Sequence, residues 1–299
     1  MKTLVIRNPR SGKLKKKDQE AERLWEELDV EQLLLEESVD LKDEVKKAAE
    51  QGVELIVAAG GDGTVNSVVN ALMSVPAEKR PAMGIVPLGT ANDFAWTLGL
   101  PDAPREAWDL VATGITRQVD VVAMTTHDGT VHFANIAAGG NSVKVTESIT
   151  DELKQKWGPL VYVRGAIEAV SQLESYKIKL TVNDGEVIEQ SVWAVLIANG
   201  KTNAGRLLVA PDASPYDGLL DVILIEEGNL LEFADVSANL LLGNYLENPL
   251  VHLQRARHVK IESTPAMKFT VDGEVVDELP IEFTVMEGAI RMVVGEERE

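Results

Sequence analysis

The sequence predicts a chain in two parts, with an alternating α/β part first and a β-rich part after about residue 119. In the first part, apolar strands end in polar turns ahead of helices, at about residues 8, 60 and 89. In the second part, β-type segments are joined by Asp-Gly turns, with one long helical interruption at Glu147 to Leu173. Alternating strands and helices indicate an open, mostly parallel sheet, and the turn-rich part indicates a separate all-β domain.

The first part is organised around a strand that runs into a glycine-rich turn and then a helix. Leu55 to Ala59 is apolar and has the length of a buried strand. Gly60, Gly61 and Gly63 follow, where the backbone must turn sharply or let a ligand come close. Backbone N–H groups at a helix N-terminus favour phosphate. Asp62 lies inside this turn, and a carboxylate fits there if a divalent cation bridges it to the phosphate.

Two further turns share this design. Asn8 to Lys13 follows a strand that ends at Ile6, and Gly89 to Asp93 follows an apolar strand that ends at Leu88. In an open parallel sheet, ligands bind beyond the carboxyl ends of the strands, so all three turns are expected to line one crevice. A tight connection without a ligand remains the alternative for a glycine cluster alone, and the convergence of three turns favours a binding site.

Charge and composition limit the classes of protein. The chain has 29 Lys+Arg against 48 Asp+Glu, a net charge of -19. Generic nucleic-acid binding needs a basic face, so nucleic acid is not an expected partner. The same charge disfavours docking on an anionic bilayer by bulk electrostatics. The chain has no cysteine, no run of about 18 apolar residues and no N-terminal stretch long enough for a signal peptide, so we expect an intracellular protein.

Two stretches of the second part place carboxylates in turns. Asp217-Gly218 lies in a Pro-, Asp- and Gly-rich turn, where a carboxylate among free carbonyls suits a hard cation. An ordinary Asp-Gly turn remains the alternative. Asp272-Gly273-Glu274 follows a strand pattern and is typical of a hairpin tip.

Three motifs together resemble the diacylglycerol kinase catalytic-domain family, which includes bacterial lipid kinases and the sphingosine and ceramide kinases. They are Asn8-Pro9-x-Ser11-Gly12, Gly60-Gly61-Asp62-Gly63-Thr64-x-Asn66 and Pro87-Leu88-Gly89-Thr90-Ala91-Asn92-Asp93. Gly-Gly-Asp-Gly alone is shared with NAD kinases and phosphofructokinases. The Gly-Thr-Ala-Asn-Asp-Phe-Ala segment is more specific to the lipid kinases.

The resemblance implies a fold and a domain division. The first domain, 1–119, would bind ATP, and 120–288 would form a β-sandwich that receives a lipid between the two domains. The final strand, at about 289–299, would return to pack on the first domain. The implied fold class is therefore an N-terminal open, mostly parallel α/β nucleotide-binding domain with a C-terminal β-sandwich.

The resemblance also implies which residues form the site. Those that would bind the nucleotide are Asn8, Pro9, Arg10, Ser11, Gly12, Gly60, Gly61, Asp62, Gly63, Thr64, Asn66, Gly89, Thr90, Asn92 and Asp93. Asp62 would help to hold a catalytic Mg²⁺. A structural Mg²⁺ would bind the Asp217 carboxylate with the carbonyls of Ser214 and Leu219.

The implied reaction is transfer of a phosphoryl group from ATP to a lipid hydroxyl, with diacylglycerol as the default acceptor. Phosphoryl transfer needs a base for the alcohol proton, and the family's Asp-Gly-Glu segment implies Glu274, with Asp272 supporting or sharing the role. The implied location is the cytoplasm, with transient contact at the inner membrane face, and a homodimer is left open.

Several departures from the family bear on the acceptor. Ser67 stands where a Glu is frequent, and the segment after Asn199-Gly200 has fewer glycines than is usual. A kinase for another lipid alcohol or for NAD is therefore an alternative. A nucleotide-binding regulatory protein without turnover is a second alternative, disfavoured because Asp62, Asp217, Asp272 and Glu274 are all present.

Overall fold

A computed structural model describes residues 1–8, 15–36, 38–142, 173–271, 274–276 and 280–296. Its strands join into one mixed sheet of 15 strands, and a further two-stranded hairpin lies beside it. The first part of the sheet is parallel and carries helices, and the second part is antiparallel. The predicted fold class is confirmed.

The described strands and helices follow in chain order. The strands are β1 Thr3–Arg7, β2 Glu31–Leu34, β3 Leu55–Gly60, β4 Ala82–Pro87, β5 Ile115–Thr126, β6 Gly129–Phe133, β7 Ile136–Gly140, β8 Tyr176–Val182, β9 Glu186–Ala198, β10 Thr202–Asn203, β11 Leu207–Leu208, β12 Leu220–Glu226, β13 Val251–Ala256, β14 His258–Thr264, β15 Phe269–Val271, β16 Glu274–Val276 and β17 Ile281–Val294. The helices are α1 Lys15–Glu27, α2 Leu41–Glu50, α3 Asp62–Met73, α4 Asp93–Thr97, α5 Pro104–Thr113 and α6 Leu230–Leu242, with 3₁₀ turns at Ala77–Lys79 and Tyr245–Glu247.

The first part is a parallel sheet in the order β2-β1-β3-β4, covered by helices on both faces. Every residue of β3 and β4 is buried, which explains why both strands are continuous apolar runs. One apolar core forms where α2 and α3 pack on the sheet, and a second forms against α1 and α5 on the opposite face. This arrangement brings the carboxyl ends of β1, β3 and β4 side by side.

The second part is antiparallel. β9 lies at its centre and pairs with β7, β8 and β12. Along β8 the side chains alternate between buried and exposed, as expected for a strand with one face in a core. Apolar residues from β5, β8, β9, β12, β14, β15 and β17 form one core between the strands.

Two long strands connect the parts. β5 pairs antiparallel with β17, and Met292 of β17 also pairs parallel with Met83 of β4. The register of the β5–β17 pair shifts between Met286 and Ile290, where Gly288 adopts a φ of 57°. One end of β17 therefore extends the first sheet, while its beginning pairs with β14 in the second part. The domain boundary predicted at residue 119 falls inside β5.

The expectation that Glu147 to Leu173 is the one helical interruption of the second part was wrong, because the structure has a further helix there, α6, of 13 residues. Asn229 caps it by accepting hydrogen bonds from Leu231 and Glu232 N–H groups, while the Glu232 side chain accepts from the Asn229 N–H. This capping box could have been found in the sequence. The helix predicted over 147–173 lies, except for its last residue, outside the described residues.

The described helices give no membrane span. None of those helices is both long enough and apolar enough to cross a bilayer.

Candidate active site

The structure brings Asn8, at the end of β1, together with the polar turns that follow β3 and β4. The Asn8 N–H donates to the Ala59 carbonyl at 3.2 Å, which ties the end of β1 to β3. The Asn8 side chain also donates to the Thr64 hydroxyl at 3.2 Å, in the first turn of α3. Pro9, Arg10, Ser11 and Gly12 lie outside the described residues.

The turns after β3 and β4 pack backbone against backbone. A Cβ built on Gly89 would lie 2.5 Å from the Gly61 Cα, and one built on Gly61 would lie 3.1 Å from the Gly89 Cα. Neither position has room for a side chain. Both glycines are therefore required by the contact between the two turns, apart from any ligand.

Asn92 closes the second turn. Its Oδ1 accepts from the Gly89 N–H, and its Nδ2 donates to the Gly89 carbonyl, both at 2.9 Å. The residue adopts φ 54° and ψ 44°, a left-handed conformation that asparagine tolerates better than most residues. The closed turn presents its next N–H groups toward the first turn.

Asp62 receives those N–H groups. Its Oδ2 accepts from the Asn92 N–H at 2.8 Å, and its Oδ1 accepts from the Phe94 N–H at 3.3 Å. Burial raises the pKa of the Asp62 carboxyl, and the nearby charge of Asp93 raises that pKa further. A cation bound beside Asp62 would stabilise its ionised form, since the positive charge offsets both the burial and the repulsion from Asp93.

Gly60 and Gly63, the other two glycines of the turn after β3, have different structural roles. A Cβ on Gly60 would lie 2.2 Å from the Thr64 hydroxyl oxygen, so Gly60 is needed for the start of α3 to pack on β3. A Cβ on Gly63 would meet no described atom within 4 Å. Gly63 is exposed at the helix N-terminus, and it leaves open the space in which a phosphate could approach the backbone.

Two other predicted nucleotide-binding residues lie farther along their turns. Thr90 is exposed at the tip of the second turn. Asn66 lies on α3, and its Oδ1 accepts from Asn70 Nδ2 at 3.1 Å.

Asp93 faces the second part of the chain. Its Oδ2 accepts from the Gly205 N–H at 3.0 Å, and its Oδ1 accepts from the Arg206 N–H at 2.5 Å. The residue is only 3% exposed. Its carboxylate therefore joins the second turn to the connection between β10 and β11.

Four polar residues that the sequence reasoning missed make long-range hydrogen bonds, and one of them, Asn70, joins the two parts. Asn70 of α3 donates to the His132 carbonyl at 2.6 Å and accepts from its N–H at 2.8 Å. Asn199 Nδ2 donates to the Asp120 and Ala134 carbonyls. The other two are Asn135 and Asp120. For Asp120, Asn135 and Asn199 the available signal was a polar residue within or beside an apolar strand segment, since such residues are seldom buried without a specific hydrogen bond.

The loop that contains Asp217 is held by Asp120. The Asp120 carboxylate accepts from the N–H groups of Gly218 and Gly288, each at 2.7 Å. Asp120 is 1% exposed, and burial raises its pKa, with further increases from Asp217 and Glu287.

Carboxylates and carbonyls are the ligands that Mg²⁺ prefers, so the donors in this loop fit a hard cation. Asp217 is exposed and accepts from the Leu219 N–H at 3.0 Å, and Ser214 lies in the same loop. Among the described residues, no three His, Cys, Asp or Glu side chains are grouped as for a metal ion. A magnesium site here would therefore depend on backbone carbonyls as well as on Asp217.

Glu274 lies at the start of β16, in the second part of the chain. Val271 of β15 pairs with Glu274 on one side and with Ala137 of β7 on the other. Ala137 is two residues from Asn135. Asp272 lies outside the described residues, so of these two carboxylates the structure gives only the backbone position of Glu274.

The class of protein follows from fold, site and sequence comparison together. Residues 2–124 match the family described as the diacylglycerol kinase catalytic domain. Residues 134–294 match the family described as the YegS C-terminal NAD kinase beta sandwich-like domain. A helix-covered sheet with glycine turns, followed by a β-sandwich, is thus the two-part arrangement of a lipid kinase.

Full-length relatives extend this result to most of the chain. The diacylglycerol kinase of Bacillus subtilis strain 168 is 32% identical over 87% of this chain and 84% of its own. That of Staphylococcus carnosus strain TM300 is 32% identical over 82% of this chain and 78% of its own. The crystal structure of a diacylglycerol kinase from Bacillus anthracis strain Sterne superposes with a TM-score of 0.78 at 28% identity, covering 98% of this chain and 97% of its own. The chain belongs to the diacylglycerol kinase family, and it is a lipid kinase.

Proposed function

We propose that this protein transfers the γ-phosphoryl group of ATP to the hydroxyl of diacylglycerol and that the reaction depends on Mg²⁺. The observation that carries the proposal is the junction of the two glycine turns, with Asp62 between them and no described atom within 4 Å of a Cβ built on Gly63. The diacylglycerol acceptor is supported by the relatives, whose printed names are those of diacylglycerol kinases.

The nucleotide would lie along the turns after β1, β3 and β4. Backbone N–H groups at the start of α3 would bind its phosphates, and Gly63 would allow them to approach. Asn8 and Thr64 would fix the spacing between two of the turns through their hydrogen bond. Asp62 would hold Mg²⁺, which when bound supplies positive charge that stabilises the phosphate oxygens during transfer.

Glu274 is proposed as the base, with Asp272 supporting or sharing that role. As the acceptor oxygen forms its bond to the γ-phosphorus, the bond to the leaving ADP oxygen breaks, and Glu274 takes the proton of the hydroxyl. The register of β15 supports this assignment, because it leads the strand toward the sheet end at which Asn135 and the Asp93 contact lie.

Asp217 is proposed to hold a second, structural Mg²⁺ with the carbonyls of Ser214 and Leu219. Burial, and to a smaller extent the charge of Asp217, raises the pKa of Asp120, and a cation bound near this loop would offset both effects.

The second candidate function is a kinase with NAD as the acceptor. It is favoured by one observation, the match of residues 134–294 to a sandwich domain described as NAD kinase-like. The discriminating experiment incubates the protein with labelled ATP, Mg²⁺ and either diacylglycerol in detergent micelles or NAD. Labelled phosphatidic acid supports the main proposal. Label transferred to NAD alone, or to neither acceptor, would refute it.

The proposal includes transient contact with a membrane surface at the cytoplasmic face, where a lipid acceptor would be found. A homodimer stays an open proposal.

Removing the Asp217 carboxylate is expected to abolish stabilisation by Mg²⁺ at the second site. A ligand that binds only the native state adds stability by mass action, so millimolar Mg²⁺ should raise the melting temperature of the wild-type protein. The Asp217→Ala variant should lose the part of this increase that persists without ATP. Scanning calorimetry with and without Mg²⁺ measures it. Asp212→Ala, an exposed aspartate of the same loop, is the matched control and should behave as wild type. An equal Mg²⁺ shift in Asp217→Ala would place the site elsewhere.

Acid is expected to weaken Mg²⁺-dependent ATP binding at a pH above the range of an exposed aspartate. A metal-binding carboxylate must be ionised, and burial, followed by the charge of Asp93, raises the pKa of Asp62. The free energy of unfolding without Mg²⁺ should change in the same pH interval in the opposite direction, increasing as the pH falls. A raised folded-state pKa gives stability that is present at low pH and lost as pH rises through that pKa. Calorimetric titrations from about pH 4 to 8 measure both. A Mg²⁺ affinity that falls only in the normal aspartate range would contradict the expectation.

A further inference from the structure

The connection between β10 and β11 is shaped to hold one carboxylate. Ala204, Gly205 and Arg206 have φ values of 56°, 92° and 70°, so three consecutive residues are left-handed. Successive backbone N–H groups in such a turn can point to one anion. Here the Gly205 and Arg206 N–H groups donate to the buried carboxylate of Asp93. Non-glycine residues adopt this conformation only where their surroundings impose it, and Asp93 is the group that these two N–H groups contact.

The same hairpin holds α4 at both of its ends. The Thr202 hydroxyl donates to the Asp93 carbonyl at 3.2 Å, and the Lys201 N–H donates to the Thr97 hydroxyl at 3.2 Å. Thr202 is itself anchored in the second part, since Asn135 Nδ2 donates to its carbonyl at 3.0 Å. An ion pair between Arg206 and Asp102 lies at the partly exposed edge of this contact.

The other side of the same segment holds Asp62. The Asn92 and Phe94 N–H groups, which donate to Asp62, belong to the residues immediately before and after Asp93. The Asp93 side chain therefore binds the hairpin while its two neighbours bind Asp62. Any shift of this segment would move both donors relative to the Asp62 carboxylate.

We propose that Thr202–Leu208 and Asp93 form a latch through which the second part of the chain positions Asp62. The proposal rests on the proposed role of Asp62 as the ligand of catalytic Mg²⁺. It makes Asp93 and Thr202 positioning residues, which act on the metal site through the N–H groups of Asn92 and Phe94. It also means that the acceptor-binding part helps to assemble the nucleotide site.

The test uses two latch variants with different chemistry. Thr202→Val keeps the shape and charge of a fully buried residue and removes its hydrogen bond to Asp93. Asp93→Asn keeps the size and removes the negative charge that the hairpin N–H groups bind. Thr181→Val, on β8, is the matched control, a partly buried threonine of the same domain and remote from α4.

The measurement is the affinity of the full chain for ATP by calorimetry across a Mg²⁺ titration, beside kcat and KM for the lipid. Loss of groups that orient a metal ligand typically weakens metal affinity about 10–100-fold. The apparent dissociation constant for Mg²⁺ should therefore rise by that factor in both latch variants. In Thr202→Val, ATP affinity without Mg²⁺ and KM for the lipid should stay within about twofold of wild type, as should every value for Thr181→Val.

A purely structural contact would give a different result, since it would lower the melting temperature and leave the Mg²⁺ constant of the folded variants unchanged. That outcome overturns the latch. If Asp93→Asn does not fold, Thr202→Val decides, because it introduces no charge change. If the wild-type protein transfers phosphate with Mg²⁺ and the latch variants keep the wild-type Mg²⁺ dissociation constant, the latch alone is refuted. A wild-type protein whose ATP binding ignores Mg²⁺ refutes both the latch and the proposed role of Asp62.

Discussion

Replacing Glu274 with glutamine is expected to lower kcat on diacylglycerol by about 10²–10⁴-fold, the usual cost of losing a general base. Glutamine keeps the size of the side chain and cannot accept the proton of the acceptor hydroxyl. Because Glu274 is proposed to face the acceptor, the dissociation constant for ATP should change little. Steady-state kinetics with saturating lipid, combined with calorimetry for ATP, separates the two effects.

The matched control is Glu262→Gln, an exposed glutamate on β14 that should retain wild-type kcat. Asp272→Asn is the companion variant, since a role shared by the two carboxylates requires that both substitutions lower kcat. A Glu274→Gln protein with near-normal kcat would remove Glu274 from the mechanism and transfer the assignment of the base to Asp272.

Introducing valine at Gly63 is expected to abolish measurable ATP binding while leaving the fold intact. A Cβ at this position meets no described atom within 4 Å, so the described part of the protein leaves room for it. The added methyl groups would occupy the space proposed for a phosphate. Valine is also a better helix residue than glycine, by a few tenths of a kcal/mol, so the melting temperature should not fall. Calorimetry with ATP and thermal unfolding measure the two quantities.

Gly61→Val gives a contrasting variant, because its side chain would press on the backbone of Gly89 and should destabilise the protein. Gly185→Val is the control for an open glycine away from the site, in the β8–β9 turn. If Gly63→Val bound ATP with wild-type affinity, the phosphates would not lie at the start of α3.

Periodicity and turn chemistry were sufficient to predict how the first part is built. The apolar runs of β3 and β4 indicated buried strands. The alternation of strands and helices indicated that these strands are parallel, with their following turns at one edge of the sheet. The structure does bring these turns into contact, through Gly61 and Gly89 and through Asp62 and Asn92. Local pattern works here because consecutive parallel strands connected by helices have few alternative arrangements.

The sequence missed α6 and the partners of Asp93 for different reasons. α6 carries a capping box that could have been recognised, but it lies among strands whose apolar residues suggested more sheet. Asp93, by contrast, lies within a motif that the resemblance assigned to the nucleotide. Its contact with Gly205 and Arg206 joins residues more than a hundred positions apart, which no local pattern reveals.

The sequence by itself determined the fold class, the family and the three turns, because strand periodicity, glycine position and motif order are properties of local segments. Only the tertiary structure decided which groups each side chain meets. It places Asp62 under the N–H groups of Asn92 and Phe94, and it sets Asp120 beneath the loop of Asp217. Those contacts depend on β5 and β17 bringing the two parts together, since hydrogen bonds between distant segments form only when the whole sheet has set their distance and direction.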